Sequence, residues 1–94
     1  MKKTTKKEVK PQVEQYKARV KILGKFYEAT GDTAIEAISN LKPDSSKGVC
    51  ILTVSKGDLV KEKMIPSFQT ARLFSGSRVM REVGLKNVAS LFNI

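Results

Sequence analysis

Histidine and tryptophan are both missing from these 94 residues, and cysteine occurs once, at Cys50. Without an imidazole there is no His general base, and one Cys with no His leaves the usual zinc ligand sets out of reach. The single Cys also excludes a disulfide within the chain. Its setting in GVCILTV predicts a buried thiol that packs as a small hydrophobe, because a reactive Cys wants an electropositive, open setting. No metal and no cofactor is expected.

Long apolar runs are lacking too. No stretch approaches the roughly 20 apolar residues of a membrane span, and MKKTTKKEVK does not lead into the apolar core of a secretory signal. The expected location is the cytoplasm, with no membrane partner. GxSxG, GxGxxG and GxxxxGK[ST] are absent. The carboxylates that stand out have structural uses: Asp32 and Glu36 in helix capping, Glu28 in a cross-strand pair and Asp58 in a turn. No catalytic residue is assigned, and the chain is expected not to be an enzyme. Aromatics are few, two Tyr and four Phe, so the core must rest on Val, Ile, Leu and Met in one small domain.

Positive charge, by contrast, is plentiful. Eighteen Lys and Arg against nine Asp and Glu give a net charge of +9, which favours polyanionic partners, nucleic acid above all, and also keeps a small protein soluble. Residues 1 to 12, MKKTTKKEVKPQ, carry Lys2, Lys3, Lys6, Lys7 and Lys10 with almost no apolar side chain. This segment reads as a flexible basic arm ahead of a single domain at 13 to 94.

From Tyr16 the hydrophobic period is two, placing Ala18, Val20 and Ile22 on one face and Lys17, Arg19 and Lys21 on the other. Gly24-Lys25 suits a type II′ turn, which would pair Leu23 with Phe26, Ile22 with Tyr27, Lys21 with Glu28 and Val20 with Ala29. GDTAIEAISNLKP then predicts a helix of two to three turns, capped by Asp32 or Thr33, with Glu36 completing a capping box. Its stripe of Ala34, Ile35, Ala37, Ile38 and Leu41 should lie on the inner face of the sheet. PDSSKG, residues 43 to 48, is a loop whose Lys47 and Gly48 could meet a phosphate but lack a longer Gly-rich pattern. Over residues 16 to 54 the order hairpin, helix, strand resembles the opening of ubiquitin-like β-grasp domains; the helical ending and the missing Gly-Gly tail depart from that family.

A second hairpin follows. A three-residue loop at Lys56-Gly57-Asp58 would set Val54 opposite Val60, Leu52 opposite Glu62 and Cys50 opposite Met64, sending Lys61 and Lys63 to the outer face with Lys17, Arg19 and Lys21. Beyond Pro66 the period turns helical. Ser67 is a candidate cap for a short helix bearing Phe68, Ala71, Leu73 and Phe74, and Ser77 for a longer one bearing Val79, Met80, Val83, Val88, Leu91 and Phe92. Gly84 costs that second helix about 1 kcal/mol relative to Ala, leaving open whether it is one piece or two. The two helices with Arg72, Arg78, Arg81 and Lys86 admit a helix-turn-helix reading, though the apolar spacing reads more simply as core packing.

The fold class expected is therefore α+β, ββαββαα: two antiparallel hairpins in a four-stranded sheet, one helix between them and one or two helices after them. The functional expectation is a non-enzymatic nucleic-acid-binding protein, for DNA or RNA without distinction. It would grip phosphates through Lys2, Lys3, Lys6, Lys7, Lys10, Lys17, Arg19, Lys21, Lys61, Lys63, Arg78 and Arg81, with Phe26 as a stacking platform. The plain alternative for the strand cations is a solvated sheet face. The rival function is a structural or assembly protein, for example of a phage or mobile element, monomeric or homodimeric, whose basic surface meets an acidic protein. In that case Leu23, Phe26, Val49 and Ile65 would form an apolar outer face.

Overall fold

The computed structural model describes residues 15–93. It has the expected order: β1 (Tyr16–Ile22), β2 (Lys25–Gly31), α1 (Ala34–Ser39), β3 (Cys50–Lys56), β4 (Leu59–Ile65), α2 (Ser67–Leu73) and α3 (Arg78–Phe92). The strands form one sheet in the order β2-β1-β3-β4, with every neighbouring pair antiparallel. Alternation along β1 and β3 buries Ala18, Val20, Ile22, Cys50, Leu52 and Val54 on one face. The helices close that face with Ala37, Ile38, Leu41, Leu73, Val88 and Phe92, so the core is a single sheet-on-helix layer, and among the described residues nothing covers the other sheet face.

Local chemistry explains most boundaries. Thr33 caps α1 by accepting the Glu36 N–H at 3.0 Å, and the Glu36 carboxylate reaches back to accept the Asp32 N–H at 2.6 Å. That is a capping box whose return bond lands one residue before the cap. With six residues, α1 is shorter than its stripe suggested, and Asn40 ends it while its side-chain amide donates to the Thr30 carbonyl at 2.9 Å. Pro66, not Ser67, occupies the cap position of α2 and makes no side-chain bond there. Ser77 caps α3 as its sequence predicts, accepting the Met80 N–H at 3.4 Å.

Both hairpin registers differ from the sequence expectation, with unequal consequences. In the first, Ile22 pairs with Lys25, Lys21 with Phe26 and Arg19 with Glu28, because the turn is Leu23-Gly24, each with positive φ (52° and 79°). Both angles belong to a type I′ turn, and moving the turn by one residue shifts each partner by two, so every side chain keeps its face. In the second, Gly57 alone carries the positive φ, 58°, and Gly57-Asp58 forms a two-residue connection that pairs Lys56 with Leu59. Here each partner shifts by one, which turns β4 over. Val60, Glu62 and Met64 therefore lie outside, while Lys61 and Lys63 share the helix side with Val54 and Leu52. Ile65 is fully buried and is not part of the outer face.

The helical end also departs from its apolar pattern. On α2 the buried side chains are Gln69, Thr70 and Leu73, while Phe68 is 62% exposed. Gln69 is satisfied on both ends: its amide nitrogen donates to the Gly84 carbonyl at 2.9 Å, and its oxygen accepts from Asn87 at 3.2 Å. Thr70 donates to the Pro66 carbonyl at 3.1 Å. Because these polar groups are bonded, their burial carries no large desolvation penalty. α3 runs unbroken through Gly84, whose missing side chain lets the two helices touch. A Cβ there would stand 2.7 Å from the Leu73 nitrogen and 2.9 Å from its Cα.

Two outcomes follow. Gly84→Ala should destabilise the protein by about 2 kcal/mol in a urea melt, because a Cβ driven against the Leu73 backbone costs about 3 kcal/mol, the upper end for overpacking, and outweighs the gain of about 1 kcal/mol in helix propensity. Leu23→Asn should raise stability by about 1 kcal/mol in the same assay, since Asn tolerates the left-handed conformation that Leu23 is forced to adopt while 69% exposed.

Candidate nucleic-acid interface

The uncovered sheet face is built from three rows that the strand pairing fixes. Phe26, Lys21, Ile51 and Met64 form one; Glu28, Arg19, Thr53 and Glu62 the next; Thr30, Lys17, Ser55 and Val60 the last. β1 sits inside the sheet, so its three cations line up in a central column, spaced about 6.8 Å apart by the strand repeat. Phe26 lies diagonal to Arg19, and the guanidinium carbon stands 4.2 Å from the ring centroid, with the Lys21 ammonium at 5.4 Å. Two cations thus share one aromatic ring, a contact worth about 0.5–1 kcal/mol at an exposed site.

Carboxylates interrupt this field. Glu28 approaches Arg19 at 3.7 Å with both side chains about half exposed, and Glu62 accepts the Thr53 hydroxyl at 3.0 Å. An exposed pair of this kind contributes little to stability. Its larger effect is to orient Arg19 and lower the local positive potential. Between Arg19, Lys21 and Phe26 on one side and Ile51, Thr53 and Glu62 on the other is a shallow depression of about 260 Å³. Four apolar side chains on this face reach solvent: Phe26, Ile51, Val60 and Met64, at 54, 40, 62 and 70% exposure.

Of the sequence-derived residues, Lys17, Arg19, Lys21 and Phe26 are brought together on this face. Lys61 and Lys63 are not. The even-membered turn puts them on the helix side of edge strand β4, where the Lys61 ammonium donates to the Phe92 carbonyl at 3.1 Å and caps the end of α3. Arg78 and Arg81 belong to the helix layer behind the sheet, and Arg78 pairs with Glu82 at 3.9 Å, both well exposed. The solvent side of α3 presents Val79, Met80 and Val83 beside Arg78, Glu82 and Lys86. Lys2, Lys3, Lys6, Lys7 and Lys10 lie outside the described residues, as does most of the segment assigned to the arm.

Sequence reading missed Glu62, Ile51, Thr53 and Met64 as part of this surface. In LVKEKMI both alternations mix polar with apolar residues, so only the turn could have revealed the facing, and Gly57-Asp58 was the available signal.

Elsewhere the chemistry is sparse. Among the described residues no group of three or more His, Cys, Asp or Glu could hold a metal ion, and no helix is long and apolar enough to cross a membrane. Cys50 is buried under α2, 3.3 Å from the Thr70 hydroxyl. Burial pushes its thiol upward from the ordinary range, and the Thr70 contact opposes this only in part. No family model, curated protein or solved structure matches the chain.

The thiol yields a check on this placement. Iodoacetamide should modify Cys50 in the folded protein more slowly than in urea, by a factor on the order of a hundred or more. A thiol raised in the folded state contributes fully below its unfolded value of about 8.5 and loses that contribution as pH climbs past it. Alkaline melts should therefore show stability falling above about pH 8.5, and Cys50→Ala should flatten that fall.

Proposed function

We propose that the protein is a non-enzymatic, cytoplasmic nucleic-acid-binding protein whose open sheet face receives an unpaired strand of DNA or RNA. The observation that carries this reading is the column Lys17, Arg19, Lys21 on a face no helix covers, with Phe26 beneath two of the cations. Cations about 6.8 Å apart form a straight row of positive charge along which a phosphate backbone can lie. Phe26 offers the stacking surface that unpaired bases use and that a duplex withholds. Glu28 and Glu62 keep the face only slightly positive, so it holds a strand weakly by itself. The five lysines of residues 1 to 12 and the overall charge of +9 supply the remaining attraction.

A second reading is favoured by one specific observation: Ile51, Val60 and Met64 expose apolar surface on this same face. Such a patch also suits a protein partner in an assembly, and the basic column would then meet acidic side chains.

Fluorescence anisotropy with single- and double-stranded oligonucleotides across a salt series tests the first reading. Affinity for single strands should fall steeply with salt. Lys17→Glu, Arg19→Glu and Lys21→Glu should each weaken binding about five- to tenfold and flatten the salt slope, and Phe26→Ala should remove the preference for unpaired strands. No binding at low salt overturns it and favours the protein-partner reading, for which Phe26→Ala would be the more damaging change.

A further inference from the structure

The depression on the open sheet face has unlike walls. On one side the Arg19 guanidinium is drawn toward β2, over the Phe26 ring at 4.2 Å and beside Glu28 at 3.7 Å, with Lys21 next to it. On the other, the Thr53 hydroxyl donates to one Glu62 oxygen at 3.0 Å and holds that carboxylate at the rim. Arg19 and Glu62 stand two strands apart, about 10 Å between Cα atoms by the sheet spacing. Between them Ile51 and Thr53 of β3 form the floor of a space of about 260 Å³. One wall therefore only donates hydrogen bonds and the other only accepts them. A guanidinium has five N–H donors, more than Glu28 can take at 3.7 Å, and a carboxylate has about four acceptor positions, of which Thr53 uses one.

Among the bases, guanine alone carries the complement of both walls. Its O6 and N7 are acceptors on one edge, and its N1–H and N2 amine are donors on the next. Adenine and cytosine would set a ring-nitrogen acceptor beside their amine, against the carboxylate, and thymine or uracil would set two carbonyls there. We propose that this depression is a guanine subsite, a proposal that rests on the reading of the face as a seat for an unpaired strand. The backbone follows the β1 cations while one base turns across β3 and lies on Ile51. The Glu62 carboxylate accepts from N1–H and the N2 amine, and Lys21 and Arg19 donate to O6 and N7. A duplex keeps the N1 edge paired, so the subsite takes only unpaired guanine. A carboxylate beside a phosphate strand repels every strand that does not bond to it, which makes Glu62 a filter as well as a ligand.

The test is fluorescence anisotropy of the intact chain at low salt, with oligothymidine strands carrying one central guanine, adenine, cytosine or thymine. The guanine strand should bind about fivefold tighter or more than the other three, the lower end for a two-point base contact. Inosine, which lacks the N2 amine, and 7-deazaguanine, which lacks the N7 acceptor, should each lose most of that gain. Glu62→Gln keeps the length of the side chain and an oxygen for Thr53 but removes the charge. It should strengthen binding of the thymine strand about twofold and weaken that of the guanine strand, a crossing of signs that a purely electrostatic role for Glu62 does not produce. Guanosine monophosphate, which keeps the base and loses the neighbouring phosphates, should compete only weakly; competition as strong as that of the guanine strand overturns the strand as the source of the base. Four strands bound alike overturn the subsite and leave the electrostatic reading of the face standing. Strengthening of all four by Glu62→Gln also overturns it, and no binding of any strand overturns both.

Discussion

Everything in this molecule depends on β1 having no free edge and only one dry side. Flanked by β2 and β3, it cannot rotate to hide its cations, so burying Ala18, Val20 and Ile22 necessarily turns Lys17, Arg19 and Lys21 outward. The helices all gather on the dry side, where Ala18, Val20, Ile22, Cys50, Leu52 and Val54 form a continuous apolar surface. The wet side is left with a row of charges held at fixed spacing by backbone hydrogen bonds. A flexible loop bearing the same residues would have to order three long side chains and their backbone on contact; here the backbone part is already done.

The second structural constraint is the contact between α2 and α3. Their junction is polar at its centre, where the Gln69 side chain bridges the Gly84 carbonyl and Asn87. Removing either partner would leave a buried amide unpaired, costing about 1–3 kcal/mol. The arrangement fixes which side of α3 faces the sheet, and so which side keeps Val79 and Val83 in solvent. Lys61 reinforces it from β4 by bonding the last turn of α3, so a residue that looked like part of a binding face orients a helix instead.

The sequence was most legible where periodicity and burial agree. β1, the presence of two hairpins though not their registers, the capped α1 and the Ser77 cap could all be read, because each has a local physical cause within a few residues. Reading failed where two local patterns were equally good. LVKEKMI alternates acceptably in either register, and only the length of the turn decides; that single choice carried Lys61 and Lys63 to the wrong face. The α2 stripe misled for another reason: Phe68 and Ala71 are the apolar candidates, but the position against Gly84 demanded a side chain that could hydrogen-bond a backbone carbonyl. Gly84 itself was read as a helix weakness because its reason for being Gly lies in another helix.

The pairing of β1 with β3 also governs the order of assembly. Each hairpin closes over two residues and each helix is local, so these pieces can form on the microsecond scale of elementary events. Ile22 meets Cys50 only after about thirty intervening residues, including α1, have been brought round. It is the longest-range strand pairing in the sheet, so its loop closure carries the largest entropy cost among the pairings. Until it happens, the cation column and the apolar face of β1 are both wet, and the strand has no inside.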